Sequence, residues 1–219
     1  MTVTDQWHRV LGLVRLPDEP HILLASPDNE AEVLVALSRR WPRAHVLALE
    51  IGGRGEPSES PEGIAVQQRV SADAVADWRA KGDAGLDLVL FDHALDDIVL
   101  EAVARSEGTV EGDRRGEHAP MVRAVRAYWR SGELERVARP ALARLVGVCE
   151  RALSPGALIV FSHRVAAADL PGQPMDLYTD HLALARRWLT SSGLPLEEVR
   201  LDALDPHWWM CLRRATATS

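Results

Sequence analysis

Two histidines stand at the ends of strongly apolar runs: His93 follows Leu86-Asp87-Leu88-Val89-Leu90-Phe91-Asp92, and His163 follows Ala157-Leu158-Ile159-Val160-Phe161-Ser162. Imidazole titrates near neutral pH and can take the proton of a hydroxyl or amine as that group reacts. If the two runs are neighbouring strands, ~4.8 Å apart, both rings converge on one cleft. The plain alternative for each is a histidine hydrogen-bonded to loop backbone. Glu50 closes a third apolar run. It lies about 20 residues beyond the first strand-to-helix turn, where dinucleotide folds place a ribose-binding acid. A solvated loop acid would look the same. Asp92, His93, Asp96 and Asp97 form a cluster that could hold Mg²⁺. Acids also suit a helix N-terminus for dipole reasons and their spacing is not distinctive, so the sequence predicts no metal site. Tyr128 and Trp129, with Arg123, Arg126 and Arg130, could cover an aromatic or acidic substrate, or form an amphipathic surface helix.

The elements that must position these groups are legible in the hydrophobic pattern. His21 to Ala25 is a short continuous apolar run of the kind a fully buried parallel strand shows. Asp28 and Asn29 are helix-capping types, and Val33, Leu34, Leu37 and Trp41 then recur at helical spacing until Pro42. With the strand His45 to Ile51 this makes a βαβ unit. Further strands are expected at Ile64 to Val70, Leu86 to Phe91, Ala157 to Phe161, Glu198 to Leu201 and Trp208 to Leu212. Helices are expected near Val75 to Trp78, from Leu95 to Arg105, over Met121 to Leu153 (begun anew or kinked at Pro140), and along the face Leu177, His181, Leu184 and Trp188. Gly52 to Gly63 and Asp169 to Pro174 read as loops, and Ser154-Pro155-Gly156 as a turn. The polar, Gly-rich stretch near 106–120 reads as a mobile insertion. The fold expected is α/β, a doubly wound Rossmann-like, mostly parallel sheet with helices on both faces. Residues 1–20 form an N-terminal leader, and 21–219 the domain. Ligands of such sheets bind beyond the carboxyl ends of the strands. That directs attention to Ser26 to Asn29, Glu50-Ile51, Ser71 to Asp73, Asp92-His93 and Ser162-His163.

The chain has 219 residues and a formal net charge of −7, which fits one soluble domain able to bury roughly 70% of its unfolded surface. Its acidic balance argues against a general affinity for nucleic acid or anionic membrane. Cys149 and Cys211 lack metal-ligand spacing and read as buried thiols in a reducing compartment. The sequence has no signal peptide and no stretch of 18 apolar residues, which predicts a cytoplasmic protein. Seven tryptophans stand against two Phe and two Tyr. Trp208 and Trp209 alternate across a strand, so one faces the core and the other a helix or a second copy, which leaves a homodimer open.

Several segments together resemble the class I S-adenosylmethionine-dependent methyltransferases. Leu34 to Pro42 followed by Ala44 to Ile51 is similar to the family's first helix and second strand, whose terminal acid binds the ribose hydroxyls. That position is Glu50. Leu86 to Ile98 is similar to the fourth strand and the turn flanking the cofactor, Val148 to His163 to the next helix, Pro-Gly turn and strand, and His181 to Arg214 to the last helix and closing strand pair. The resemblance implies an antiparallel seventh strand. It implies S-adenosylmethionine as cofactor, held by Ser26, Asp28, Asn29, Glu50, Ile51, Asp73, Phe91 and Asp92. It implies methyl transfer to a small-molecule acceptor, with His93 and His163 as candidate bases and Tyr128 and Trp129 as acceptor contacts. Where the family carries three glycines after its first strand, this chain has Ser26, Asp28 and Glu30, with Leu24 at the preceding acid. Side chains there crowd the space that glycines leave for the methionine moiety. A methyltransferase-like domain that has lost the cofactor and serves in binding or assembly is therefore the alternative. The missing G-x-G-x-x-G argues more strongly against a nucleotide-dependent oxidoreductase.

Overall fold

The computed structural model of the chain describes residues 2–26, 29–51, 66–78, 85–108, 118–163 and 176–215. Strands β1 (His21–Ala25), β2 (His45–Leu49), β3 (Val66–Val70), β4 (Leu86–Asp92), β5 (Leu153–Ser162), β6 (Leu196–Glu198) and β7 (Trp209–Arg214) form one sheet in the order β3-β2-β1-β4-β5-β7-β6. Neighbours from β3 through β5 are parallel, whereas β7 runs antiparallel to both β5 and β6.

Strands β1, β2, β4 and the second half of β5 read as nearly continuous apolar runs because both faces are covered. Leu23, Val89, Phe91, Ile159 and Phe161 join one core with α4 (Ala94–Ser106), α6 (Leu134–Ala152) and α7 (Asp176–Thr190). Their neighbours Ile22, Leu24, Leu88, Leu90 and Val160 join a second core with α1 (Val3–Leu11) and α2 (Glu30–Arg40). Register then levels the carboxyl ends of three strands, with Ala25 opposite Phe91, Phe91 opposite Phe161 and Asp92 opposite Ser162. The Phe91 and Phe161 rings stack at 4.6 Å.

The N-terminal stretch that the sequence sets apart as a leader supplies α1. Thr2 and Asp5 cap it reciprocally, each side chain accepting from the other's backbone N–H, and it buries Trp7, Val10 and Leu11. The helical stretch expected over 121–153 divides into α5 (His118–Ser131) and α6. The break falls at Gly132, whose φ of 77° suits glycine, while Pro140 lies inside α6. Ser154-Pro155-Gly156 is absorbed into β5 as an irregularity in the pairing with β4, Gly156 taking φ 80°. Asp205's carbonyl accepts from both Trp208 N–H and Trp209 N–H at 3.0 Å, which holds Trp208 in a turn and starts β7 one residue later than expected. The strand expected at 198–201 is β6, displaced towards the N-terminus. The Gly-rich loop 52–63, positions 109–117 of the insertion and the loop 169–174 lie outside the described residues. No helix among the described residues is long and apolar enough to cross a membrane.

Trp7 ties α1 to the sheet. Trp7→Ala should cost roughly 3–5 kcal/mol of unfolding free energy, read from the urea midpoint at unchanged m-value. A loss below about 1 kcal/mol would mean that α1 does not belong to the cooperative fold.

Candidate functional site

The levelled ends of β1, β4 and β5 surround one carboxylate. Asp92, the last residue of β4, is 1% exposed and, besides the adjoining His93, accepts from four side chains. Trp7 Nε1–H donates to Oδ1 at 2.9 Å, Ser26 Oγ–H to Oδ2 at 3.1 Å, Asn29 Nδ2–H to Oδ2 at 3.0 Å, and Ser162 Oγ–H to Oδ1. Burial alone pushes this carboxyl's pKa up. The hydrogen bonds from His93, Ser162 and Asn29, with the charge of His93, outweigh burial and hold it below the ordinary aspartate value.

His93 follows immediately and is the lone non-glycine residue with positive φ among the described residues, at φ 54° and ψ 14°. The left-handed region costs a β-carbon-bearing residue roughly 1–2 kcal/mol, so the surroundings must impose it. Two contacts do so: its N–H donates to the Ser162 carbonyl at 3.0 Å and its Nδ1 lies 3.4 Å from Asp92 Oδ1, while Asn29 Nδ2, 3.3 Å from the same nitrogen, gives its hydrogen to Asp92. A proton on Nδ1 pointed at the ionised Asp92 leaves Nε2 as the basic nitrogen. The side chain is 25% exposed.

A second carboxylate–imidazole group adjoins the first. Asp96, in the first turn of α4, is hydrogen-bonded to His181 Nδ1 from α7, and its Oδ1 lies 3.9 Å from His163 Nε2 at the end of β5. His163 and His181 are 1% and 4% exposed, whereas the Asp96 side chain is 27% exposed. Burial raises the Asp96 pKa. The hydrogen bond from His181 and the charges of His163, His181 and His93 lower it further than burial lifts it. The ring centroids of His93 and His163 are 6.2 Å apart, and those of His163 and His181 5.8 Å. Adjacency of β4 and β5 therefore brings the two strand-end histidines together. His181 and Asp96 join them through a helix partner 85 residues away in sequence.

The remaining predicted residues fall in different surroundings. Ser26 and Asn29 turn inward to Asp92, and Asp28 lies outside the described residues. Glu50 is exposed beyond β2, its N–H donating to the Val70 carbonyl at 3.0 Å, and Ile51 is buried beside it. Phe91 is fully buried, so its side chain belongs to the core. Asp73 is exposed and pairs with Arg144 of α6 at 3.1 Å. Tyr128 and Trp129 are half-buried against the core, Tyr128 reaching Ser106 at 3.3 Å. The cluster that the sequence offers to Mg²⁺ is divided: Asp92 is held between Ser26 beyond β1 and Ser162 of β5, and Asp96 faces the two buried histidines. Glu30, at the third glycine position, is buried and pairs with Arg69 of β3 at 2.8 Å. Burial pushes both cysteine thiols up to about 12, which leaves them inert at neutral pH.

Both carboxylates are depressed in the fold, so the stability they confer is complete above the ordinary aspartate value and is lost as pH falls through the lowered one. Unfolding free energy should therefore drop below about pH 4. Asp92→Ala should cost at least ~3 kcal/mol at pH 7 and remove part of this acid dependence, because it leaves buried donors without an acceptor. An acid limb unchanged in Asp92→Ala would contradict the assignment.

No protein-family model matches the chain, and no curated protein matches its sequence. Solved structures do resemble it. Human N-acetylserotonin methyltransferase, in complex with SAM, aligns at 13% identity and a TM-score of 0.49 over 98% of this chain and 54% of that one. The pyocyanin biosynthetic protein PhzM aligns at 13% identity and 0.48 over 95% and 54%, and precorrin-6y C5,15-methyltransferase from Geobacter metallireducens GS-15 at 14% and 0.45 over 97% and 89%. The chain thus spans 54% of the length of each of the first two. Its own strand order, with β7 antiparallel between β5 and β6, makes this the Rossmann-like fold that the resemblance to class I S-adenosylmethionine-dependent methyltransferases implies.

Proposed function

We propose that the chain transfers a methyl group from S-adenosylmethionine to a hydroxyl or amine of a small-molecule acceptor, with His93 as general base. The observation that carries this reading is His93 itself, its backbone strained and its partly exposed ring held against an ionised Asp92 at the carboxyl rim of a doubly wound sheet. Strain maintained at one ionisable residue of a rim is a mark of function. Of the two strand-end histidines His93 is the base, being 25% exposed where His163 is 1%. Asp92 holds the His93 tautomer and stabilises the imidazolium that forms.

The cofactor's residues would be those of the same rim. Glu50 offers an exposed carboxylate beyond β2 to a pair of ribose hydroxyls, with Ile51 beside it. Two of the side chains at the glycine positions are drawn back into the fold, Ser26 to Asp92 and Glu30 to Arg69, which supports a fit there despite the missing glycines. When bound, the sulfonium supplies an electrophilic methyl group. The chain's own task is to hold the acceptor in line and remove its proton. Tyr128 and Trp129 on α5 are the proposed acceptor contacts, and the two buried thiols suit a cytoplasmic setting. The second reading, a domain without cofactor, is favoured by the β-carbons that remain at positions 26 and 30.

Titration calorimetry separates the two. S-adenosylhomocysteine should bind with micromolar affinity, and Glu50→Ala should weaken it at least about tenfold, or ~1.4 kcal/mol. No heat at millimolar ligand would establish the domain without cofactor. His93→Gly should keep that affinity and remain folded, the relief of backbone strain offsetting part of the lost contact with Asp92. Against an acceptor found by screening phenols and amines it should lose roughly 10²–10⁴ in kcat. Unaltered turnover would remove His93 from the reaction.

A further inference from the structure

We propose that Asp96, His163 and His181 form a binding site for one divalent transition-metal ion of the zinc or ferrous class. One ligand atom from each of the three residues lies within 4.8 Å of the others. They come from three separate elements, the first turn of α4, the end of β5 and the middle of α7. The ring nitrogens facing Asp96 are His163 Nε2 and His181 Nδ1.

The donor set selects the ion. Two imidazoles with one carboxylate suit zinc, ferrous iron and their neighbours, whereas Mg²⁺ and Ca²⁺ take oxygen ligands. Ligand bonds of ~2.0–2.2 Å about a tetrahedral centre place donor atoms about 3.3–3.6 Å apart. The observed 3.9 Å from His163 to Asp96 is close to that, and the hydrogen-bonded His181–Asp96 pair must open to admit the ion. The ion then replaces the hydrogen that now joins them. Exposure is divided as an open metal site requires: the imidazoles are buried at 1% and 4%, and the carboxylate is 27% exposed. Three protein ligands leave a fourth position for water or an acceptor oxygen. A low-dielectric wall with a net carboxylate charge favours a cation there. His93, the nearest further imidazole, lies beyond His163 and faces Asp92. The site rests on these residues and does not depend on methyl transfer being the activity.

The test uses the full chain, stripped with a chelator and titrated with Zn²⁺ by calorimetry, and with Co²⁺ for its visible absorption. One ion per chain at micromolar or tighter affinity is expected, with the intense d–d bands of four- or five-coordinate cobalt. His181→Ala and Asp96→Asn should each weaken binding more than tenfold, while the exposed His207→Ala leaves it unchanged. Circular dichroism establishes that each variant is folded. If His181→Ala unfolds, the partly exposed Asp96→Asn and the wild-type cobalt spectrum decide. Wild-type protein that takes up no ion at stoichiometric concentration overturns the site, leaving Asp96 and His181 as a structural hydrogen-bonded pair. Binding equally weakened by His207→Ala, or octahedral cobalt spectra, would also overturn it.

Discussion

A single buried carboxylate organises the carboxyl rim of this fold. Asp92 accepts hydrogen bonds from α1, from the end of β1, from the residue before α2 and from the end of β5, partners 85, 66, 63 and 70 residues distant in sequence. Each donor is buried or partly buried, and leaving one without an acceptor costs ~1–3 kcal/mol. Exposed pairs such as Arg136–Glu133 are screened by water and contribute little. The loss of Asp92 therefore outweighs the loss of any surface pair. Desolvating an aspartate is unfavourable in itself, and only the saturation of both oxygens makes the charged form the stable one.

The same contacts position the ionisable groups of the rim. Ser162 donates its hydroxyl to Asp92 and its carbonyl accepts the His93 N–H, so one residue of β5 fixes both members of the dyad. The strained backbone of His93 is thereby maintained by interactions that also set its tautomer. Next to it, Asp96 of α4 gathers His163 and His181, so that two ionised carboxylates and three imidazoles are grouped beside the carboxyl ends of β4 and β5. Glu50 stands apart at the end of β2. The rim thus separates a carboxylate suited to hydroxyl groups from imidazoles suited to protons.

Much of the scaffold was legible in the sequence, and its polar interior was not. Apolar runs such as His21 to Ala25 and Leu86 to Phe91 mark strands buried on both faces, and strand adjacency was enough to bring His93 towards His163. Periodicity says which face a residue lies on, but not what meets it there. Asp96 therefore read as a helix-dipole acid, and His181 as one more position on the buried stripe of α7. Asp92 read as a ligand contact although protein donors saturate it, because a polar residue's burial depends on partners more than 60 residues away. Trp7 was set aside in the leader for the same reason: its indole N–H finds its acceptor only after β4 is in place. Of the seven tryptophans, Trp7 and Trp188 are fully packed scaffold, and Trp209 meets Trp7 edge-on at 4.9 Å.

The central claim is that an ionised, fully hydrogen-bonded Asp92 sets the His93 ring with its proton on Nδ1. Side-chain ¹⁵N NMR of the histidines in the chelator-treated full chain tests it directly. His93 is expected to carry a proton on Nδ1, with Nε2 the nitrogen that gains and loses its proton, and to shift that tautomer in Asp92→Asn. A ring protonated on Nε2, with Nδ1 accepting from Asn29 and indifferent to Asp92→Asn, would contradict it.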